Sequence, residues 1–140
     1  MTLQYISGFF DADGSITLCK KSKNELYRTI RLDFTNTYIN ILEEIQKYML
    51  EEHSIKLHLS TKAAKKENHA IGYSLTCNSN QECLKLCRLL DSHHPKKLHR
   101  INTVLKYHDA VTMRNGKYTD KQATRRLAYE RLFYLSLIHI

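Results

Sequence analysis

Between Leu3 and Ala12 the apolar residues Tyr5, Ile6, Phe9 and Phe10 recur at helical spacing, and Asp13-Gly14 stops the pattern. A short first helix over about residues 2–13 is predicted. From Ser15 the period changes to two, with Ile16 and Leu18 on one side of a strand and Thr17, Cys19 and Lys21 on the other. Lys23-Asn24-Glu25 supplies a turn. The next run sets Ile30, Leu32 and Phe34 inward against Thr29, Arg31, Asp33 and Thr35, completing a hairpin. Ile39, Leu42, Ile45, Tyr48 and Met49 then return to helical spacing. A second alternating pair follows: Ile55, Leu57 and Leu59 against Lys56, His58 and Ser60, then Ile71, Tyr73 and Leu75 against Gly72, Ser74 and Thr76. Ser79 with Glu82 three residues on predicts a capping box, opening a helix through Leu84, Leu86, Cys87 and Leu90. Past Pro95, the residues Ile101, Val104, Leu105 and Tyr107 mark another helix, Asn115-Gly116 breaks it, and Thr119 with Gln122 caps one more.

The order αββαββα, followed by helices, predicts the α+β class: one antiparallel four-stranded sheet with its apolar face covered by helices and its other face polar and open. That open face would carry Thr17, Cys19, Lys21, Thr29, Arg31, Asp33, Lys56, His58, Ser60 and Lys62. Such a set suits the reading of base edges in a major groove. Alternation alone fits an ordinary solvated face as well.

Composition narrows the choice. At 140 residues, with 42% hydrophobic and 26% charged, the chain is suited to one domain, expected over residues 1–134, and not to a disordered or fibrous protein. No apolar run approaches the ~20 residues that span a bilayer, and the N-terminus lacks the order of a signal peptide, so no membrane partner and an intracellular location (cytoplasm, nucleoid or an organelle) are expected. A net charge of +8 favours a polyanionic partner. Cys19, Cys77, Cys83 and Cys87 show no CxxC spacing, and Cys83 and Cys87 lie one helical turn apart beside Leu84 and Leu86, which predicts reduced, buried thiols rather than a zinc site. The His93-His94 pair beside Pro95 reads as a loop.

Residues Ile6 to Gly14 read I-S-G-F-F-D-A-D-G. Two carboxylates at a helix C-terminus face a dipole that is already negative, and a divalent cation on Asp13 would offset this, magnesium preferring hard oxygen ligands and keeping several waters. A calcium-binding EF-hand loop would need ligands at Phe9 and Lys20, which cannot serve. A plain C-cap, with Gly14 in a left-handed turn and both aspartates facing water, explains the glycine but not the pair. Ser7, Gly8 and Ala12 are small, and Gly8 and Ala12 lie four apart, leaving a groove for a second helix. Two such helices side by side would bring two Asp13 carboxylates together, and their repulsion again favours cations.

With these residues in place, Ile6–Gly14 is similar to the nine-residue LAGLIDADG motif of a family of homing endonucleases, and the resemblance extends over nearly the whole αββαββα chain. Ile6 and Ser7 stand where the motif has leucine and alanine. The resemblance implies a site-specific endonuclease, associated with introns or inteins, that uses Mg2+ or Mn2+ to hydrolyse both strands of a long double-stranded DNA target. It implies that the sheets form a DNA-binding saddle and that the motif helix is the interface between two like halves, here through Ser7, Gly8, Asp11 and Ala12. Asp13 would bind the metal, with the backbone carbonyl of Ala12 as a further ligand, while Asp11 would hold the helix end by hydrogen bonds. The family places a glutamine or asparagine at the end of the second strand and a lysine before a late helix around the active site. Asn36 matches the first and Lys97 the second, although Lys96 could exchange with Lys97, and Asn36 could equally be the N-cap of the second helix. Arg100 lies where a phosphate contact or a solvated helix face would each explain it.

No second aspartate pair precedes Gly72 or Gly116, so the chain has one motif. The expected partner is therefore a second copy in a homodimer, or the missing half of a two-motif chain. Residues 135–140 read as a translated transposon-end sequencing adapter, and truncation is also expected as an option at Met1. Two other readings stay open: an intron maturase, a splicing factor on the same fold that has lost cleavage, and a basic interaction module that does not bind nucleic acid.

Overall fold

Thr2 starts the chain's first element, its side chain accepting a hydrogen bond from the Tyr5 N–H at 3.1 Å. In the computed structural model, which describes residues 1–62, 71–113 and 117–135, helix α1 runs Leu3–Asp13 and passes directly into strand β1, Gly14–Cys19. The elements that follow are β2 (Thr29–Asn36), α2 (Ile39–His53), β3 (His58–Lys62), β4 (Gly72–Cys77), α3 (Asn80–Leu89), α4 (Pro95–Val111) and α5 (Asp120–Phe133). The order is the expected αββαββα with two further helices, and the class is α+β.

The strands form one antiparallel sheet in the order β1-β2-β4-β3, so β2 and β4 are inner strands and β1 and β3 are edges. Register places Gly14, Phe34, Leu75 and Leu59 in one row across all four strands, with Ile16, Leu32 and Cys77 in another. On this face Ile16, Ile30, Leu32, Phe34 and Leu75 are fully buried against Ile6 and Phe10 of α1, Leu42, Ile45 and Met49 of α2, and Leu84 and Leu86 of α3. The opposite face carries Ser15, Asp33, Thr76 and His58 in one row and Thr17 beside Arg31 in another.

Four expectations need correction. Strand β3 begins at His58, not Ile55; Ile55 and Leu57 are buried all the same, because the connector from α2 turns these two side chains into the core, and Gln46 Nε2 donates to the Leu57 carbonyl at 2.9 Å. Ile71, expected inward, is 55% exposed, whereas Ser74 and Thr76, expected outward, are buried, since β4 is an inner strand and neighbouring polar side chains cover them. Ser79 is the N-cap of α3 but makes no side-chain cap bond; the expected capping box at Thr119 and Gln122 does form. Lys21 lies beyond the end of β1. The expectation for residues 135–140 falls, except for Leu135, outside the described residues.

Three of the four cysteines behave as core, while Cys19, on the polar face of β1, is only partly buried. Cys77, Cys83 and Cys87 are buried and unpaired as disulfides, Cys83 Sγ donates to the Cys77 carbonyl at 3.2 Å, and burial pushes the Cys87 thiol up to about 12. On the helical side, burial holds His108 down to about 4, so it is neutral at pH 7 between the Tyr129 hydroxyl at 2.8 Å and Asn80 Oδ1 at 3.2 Å. Buried Arg126 pairs with Glu130 at 3.2 Å and donates to the Arg28 carbonyl, tying α5 to the chain leading into β2.

Candidate metal and nucleic-acid site

The helix-to-strand junction depends on a close approach. Gly14 has an extended backbone, with φ −100° and ψ 168°, so it is not there for a left-handed turn as the plain C-cap reading supposed. What it supplies is space: a methyl group on Gly14 would sit 2.7 Å from the Phe10 carbonyl oxygen and 2.9 Å from its Cα. Backbone cannot yield as a side chain can. The absence of that methyl lets β1 leave the helix immediately, which puts Asp13 at the rim where α1 meets the sheet.

Asp13 is exposed. Its backbone carbonyl accepts from Thr35 Oγ1 at 3.1 Å, and its carboxylate accepts from Asn36 Nδ2 at 3.3 Å. Asn36 Oδ1 accepts the Tyr38 N–H at 2.9 Å, while the N-cap position of α2 is Tyr38 itself. One amide therefore links the Asp13 carboxylate to the backbone at the start of α2, and Asn36 is not the N-cap of that helix.

Asp11 faces the other way. Its carboxylate accepts from the Ser92 hydroxyl at 2.5 Å and from the His93 N–H at 2.7 Å. Burial raises its pKa, but those two hydrogen bonds and the Lys97 charge outweigh it and hold the group below the ordinary aspartate value. The segment so anchored leads into α4, where the His94 imidazole caps the helix by accepting the Lys97 N–H and Pro95 takes the first turn. This start aims Lys97 under the end of α1: its Nζ donates to the carbonyls of Phe10 at 3.0 Å and Asp11 at 2.8 Å, the negative end of the helix dipole. Burial lowers the Lys97 pKa against the opposing pull of Asp11 and Asp13. Lys96 is exposed and makes no hydrogen bond among the described residues, so it does not share this position.

Of the four residues expected on the helix–helix face, two are open. Gly8 and Ala12 are exposed, and a Cβ on Gly8 would meet nothing within 4 Å. Ser7 is buried and accepts the Asp91 N–H at 2.9 Å, and Asp11 is engaged as described; both turn toward their own chain's α3–α4 connection.

The polar sheet face is more structured than alternation suggested. Lys56, His58, Ser60 and Lys62 are exposed along and before β3, and Lys21 is exposed past β1. Thr29 Oγ1 donates to the Cys19 carbonyl at 3.2 Å, and Thr17 lies opposite Arg31. Arg31 forms an ion pair with Asp33 at 2.9 Å. Arg100 stands apart from this group: its Nη1 donates to the Ile16 carbonyl at 3.0 Å at the free edge of β1, and its guanidinium lies over the rings of Phe133 and Tyr134. Tyr134 covers the same edge, its hydroxyl donating to the Leu18 carbonyl at 2.6 Å and accepting the Leu18 N–H at 2.9 Å. Sequence reasoning missed Thr35, Ser92 and Tyr134, because each acts across the chain on a partner that no local spacing reveals; His94 caps α4 locally, three residues before Lys97, but was read only as part of a loop.

The family described as LAGLIDADG endonuclease matches residues 6–108, from the first residue of the motif into α4. The chain belongs to that family. Solved structures similar to this LAGLIDADG chain include homing endonucleases. I-TnaI is 10% identical with a TM-score of 0.67, over 96% of this chain and 89% of its own. The archaeal intron-encoded homing endonuclease I-Vdi141I, complexed with DNA, is 17% identical with a TM-score of 0.56, over 98% and 90%. I-SmaMI, bound to an uncleaved DNA target in the presence of calcium ions, is 16% identical with a TM-score of 0.61, over 99% of this chain but only 47% of its own. At such identities the likeness shows the fold. No curated protein matches the sequence. Among the described residues no helix is long and apolar enough to cross a membrane.

Proposed function

We propose that this LAGLIDADG chain is a site-specific, divalent-metal-dependent DNA endonuclease of the intron- or intein-associated kind, acting as two like halves on a long double-stranded target. The observation that carries the proposal is the geometry of α1: an exposed Asp13 carboxylate at its end, held by Asn36, on the same helix as the open Gly8–Ala12 face.

The donor set fits magnesium or manganese. Asp13 offers a hard carboxylate oxygen, and Ala12 one of the last four helix carbonyls, which have no partner within the helix. Among the described residues no three His, Cys, Asp or Glu side chains converge on one point, so one chain supplies only part of a coordination shell. DNA phosphate, water and a second Asp13 would supply the rest. When bound, the metal provides a Lewis acid that makes water nucleophilic near neutral pH and offsets charge on the departing 3′ oxygen. The chain's own residues prepare that chemistry. Asn36 orients the Asp13 carboxylate, Asp11 fixes the Ser92–His93 segment, and that segment sets the start of α4. Lys97 uses two of its three N–H groups on α1 carbonyls, which leaves one for a scissile phosphate.

The direct test is to incubate the full chain with a randomised duplex library, with and without magnesium. Fragments cut on both strands are expected, and their loss on adding a chelator. Retained duplex binding with no cutting at any metal concentration would count against the nuclease and for the splicing-factor reading. Pairing through α1 makes a second expectation. Gly8→Leu projects a large side chain from an exposed helix position, where leucine is a better helix former than glycine by somewhat under ~1 kcal/mol, so the monomer should fold as well as before. Its mass by sedimentation should fall from two chains to one, with cutting lost although Asp13 is intact. A Gly8→Leu dimer that still cuts would place the interface elsewhere.

A further inference from the structure

We infer that Asp33 is not a base contact but a positioning residue, which holds Arg31 to read a guanine in the major groove; this rests on the DNA-reading function proposed above. Both residues lie on the inner strand β2, two apart and therefore on the same face. Asp33 Oδ1 accepts from Thr76 Oγ1 at 2.7 Å, Ser74 Oγ at 3.3 Å and Arg31 Nε at 3.2 Å, and Oδ2 accepts from Arg31 Nε at 2.9 Å. Ser74 and Thr76 are buried, so the carboxylate is fixed from β4 as well as from β2. The side-chain exposures follow: 13% for Asp33 and 45% for Arg31.

Both Asp33 oxygens are thus occupied, which leaves little of the group for DNA. Arg31 is the reverse. Its Nε edge is held, while its two terminal nitrogens make no hydrogen bond among the described residues and present a planar fork with parallel N–H groups. A flexible arginine loses rotamer freedom when it binds; one already held by a carboxylate loses less. The pair is electrically balanced, so it is a poor anchor for phosphate, whose affinity comes from cations such as the exposed Lys21, Lys56 and Lys62, which form no ion pair among the described residues. It remains a good match for two adjacent acceptors. In the major groove only guanine provides these, at O6 and N7; adenine puts a donor beside its N7, cytosine exposes a donor, and thymine offers a single acceptor beside a methyl.

The test is selection of preferred sites from a randomised duplex library by the full chain and three variants, with thermal melts alongside. The wild-type pool should contain a position held as guanine with about a ten- to hundredfold preference, and Arg31→Ala should erase the preference there alone. Asp33→Asn and the near-isosteric Thr76→Val should weaken it at that same position while leaving the others intact, although Arg31 itself is unchanged. Thr76→Val keeps the volume of the buried site and so remains informative if Asp33→Asn folds poorly. An equal loss at every position in the Asp33 and Thr76 variants, tracking a lower Tm, would make the network structural and overturn the inference. A salt slope reduced by about one unit in Arg31→Ala, with no change in base preference, would make Arg31 a phosphate contact and overturn it too. A wild-type chain that binds no duplex DNA would instead overturn the function beneath both.

Discussion

Asp13→Asn is expected to reduce metal-dependent cutting by at least about a thousandfold while leaving duplex affinity within a few-fold of wild type. The size follows from the role: a metal ion contributes several kcal/mol of transition-state stabilisation, and each 1.36 kcal/mol is a factor of ten in rate. Asparagine keeps the shape and an oxygen for the Asn36 amide, so the junction of α1 with β1 should survive. Stability should move the other way. A carboxylate at a helix C-terminus opposes the dipole by about 0.3–1 kcal/mol, and removing its charge relieves that. Loss of cutting with an unchanged or slightly raised Tm would be the signature of a residue retained for chemistry at the expense of stability. The comparison needs only a cutting assay and a melt of the same preparation. If the variant cuts as the wild type does, Asp13 is no metal ligand.

Lys97→Met should lower kcat about a hundredfold with little change in the affinity for DNA, the effect expected when one preorganised charge is removed from a developing oxyanion. Methionine preserves the apolar stem out to the ε position beside Phe10, whose ring lies 5.5 Å from Nζ, and removes only the charged end. The competing explanation is structural, since Lys97 also clasps the Phe10 and Asp11 carbonyls. Losing hydrogen bonds made by a charged group would lower stability by roughly 1.5–3 kcal/mol. Rate and melt separate the two roles: a lower Tm with undiminished kcat would reduce Lys97 to a clamp on α1. Asp11 offers an internal comparison, because both its carboxylate oxygens are engaged by the Ser92–His93 segment. Its loss should be felt in stability and in the placement of α4 more than in metal binding.

Much of this site was legible in the residues, and for identifiable reasons. The I-S-G-F-F-D-A-D-G run places two carboxylates where a helix least favours them, and such an anomaly is visible without coordinates. Asn36 and Lys97 came only through the resemblance to the LAGLIDADG motif family; nothing in their own surroundings marks them. The sheet face was legible as a list but not as a network. Period-two alternation put Arg31, Asp33, Ser74 and Thr76 on one side correctly, yet could not show that Asp33 gathers the other three. Arg100 was legible only as a basic helix residue, open to a phosphate contact or a solvated face; in the structure it closes the free edge of β1 together with Tyr134.

By itself the sequence determined the order of the elements, the buried faces of β1 and β2, the disulfide-free core cysteines and the single motif, because these follow from local period and from residue chemistry. Tertiary structure decided which way the motif helix turns its small and acidic residues. Ser7 and Asp11 are drawn to the 91–93 segment of their own chain, leaving Gly8, Ala12 and Asp13 outward. It also decided why Gly14 is glycine, through a backbone approach rather than a positive φ. The division has one physical cause. Periodicity is a property of neighbours along the chain, whereas hydrogen bonds between residues 22 to 87 positions apart exist only once the sheet and helices have packed.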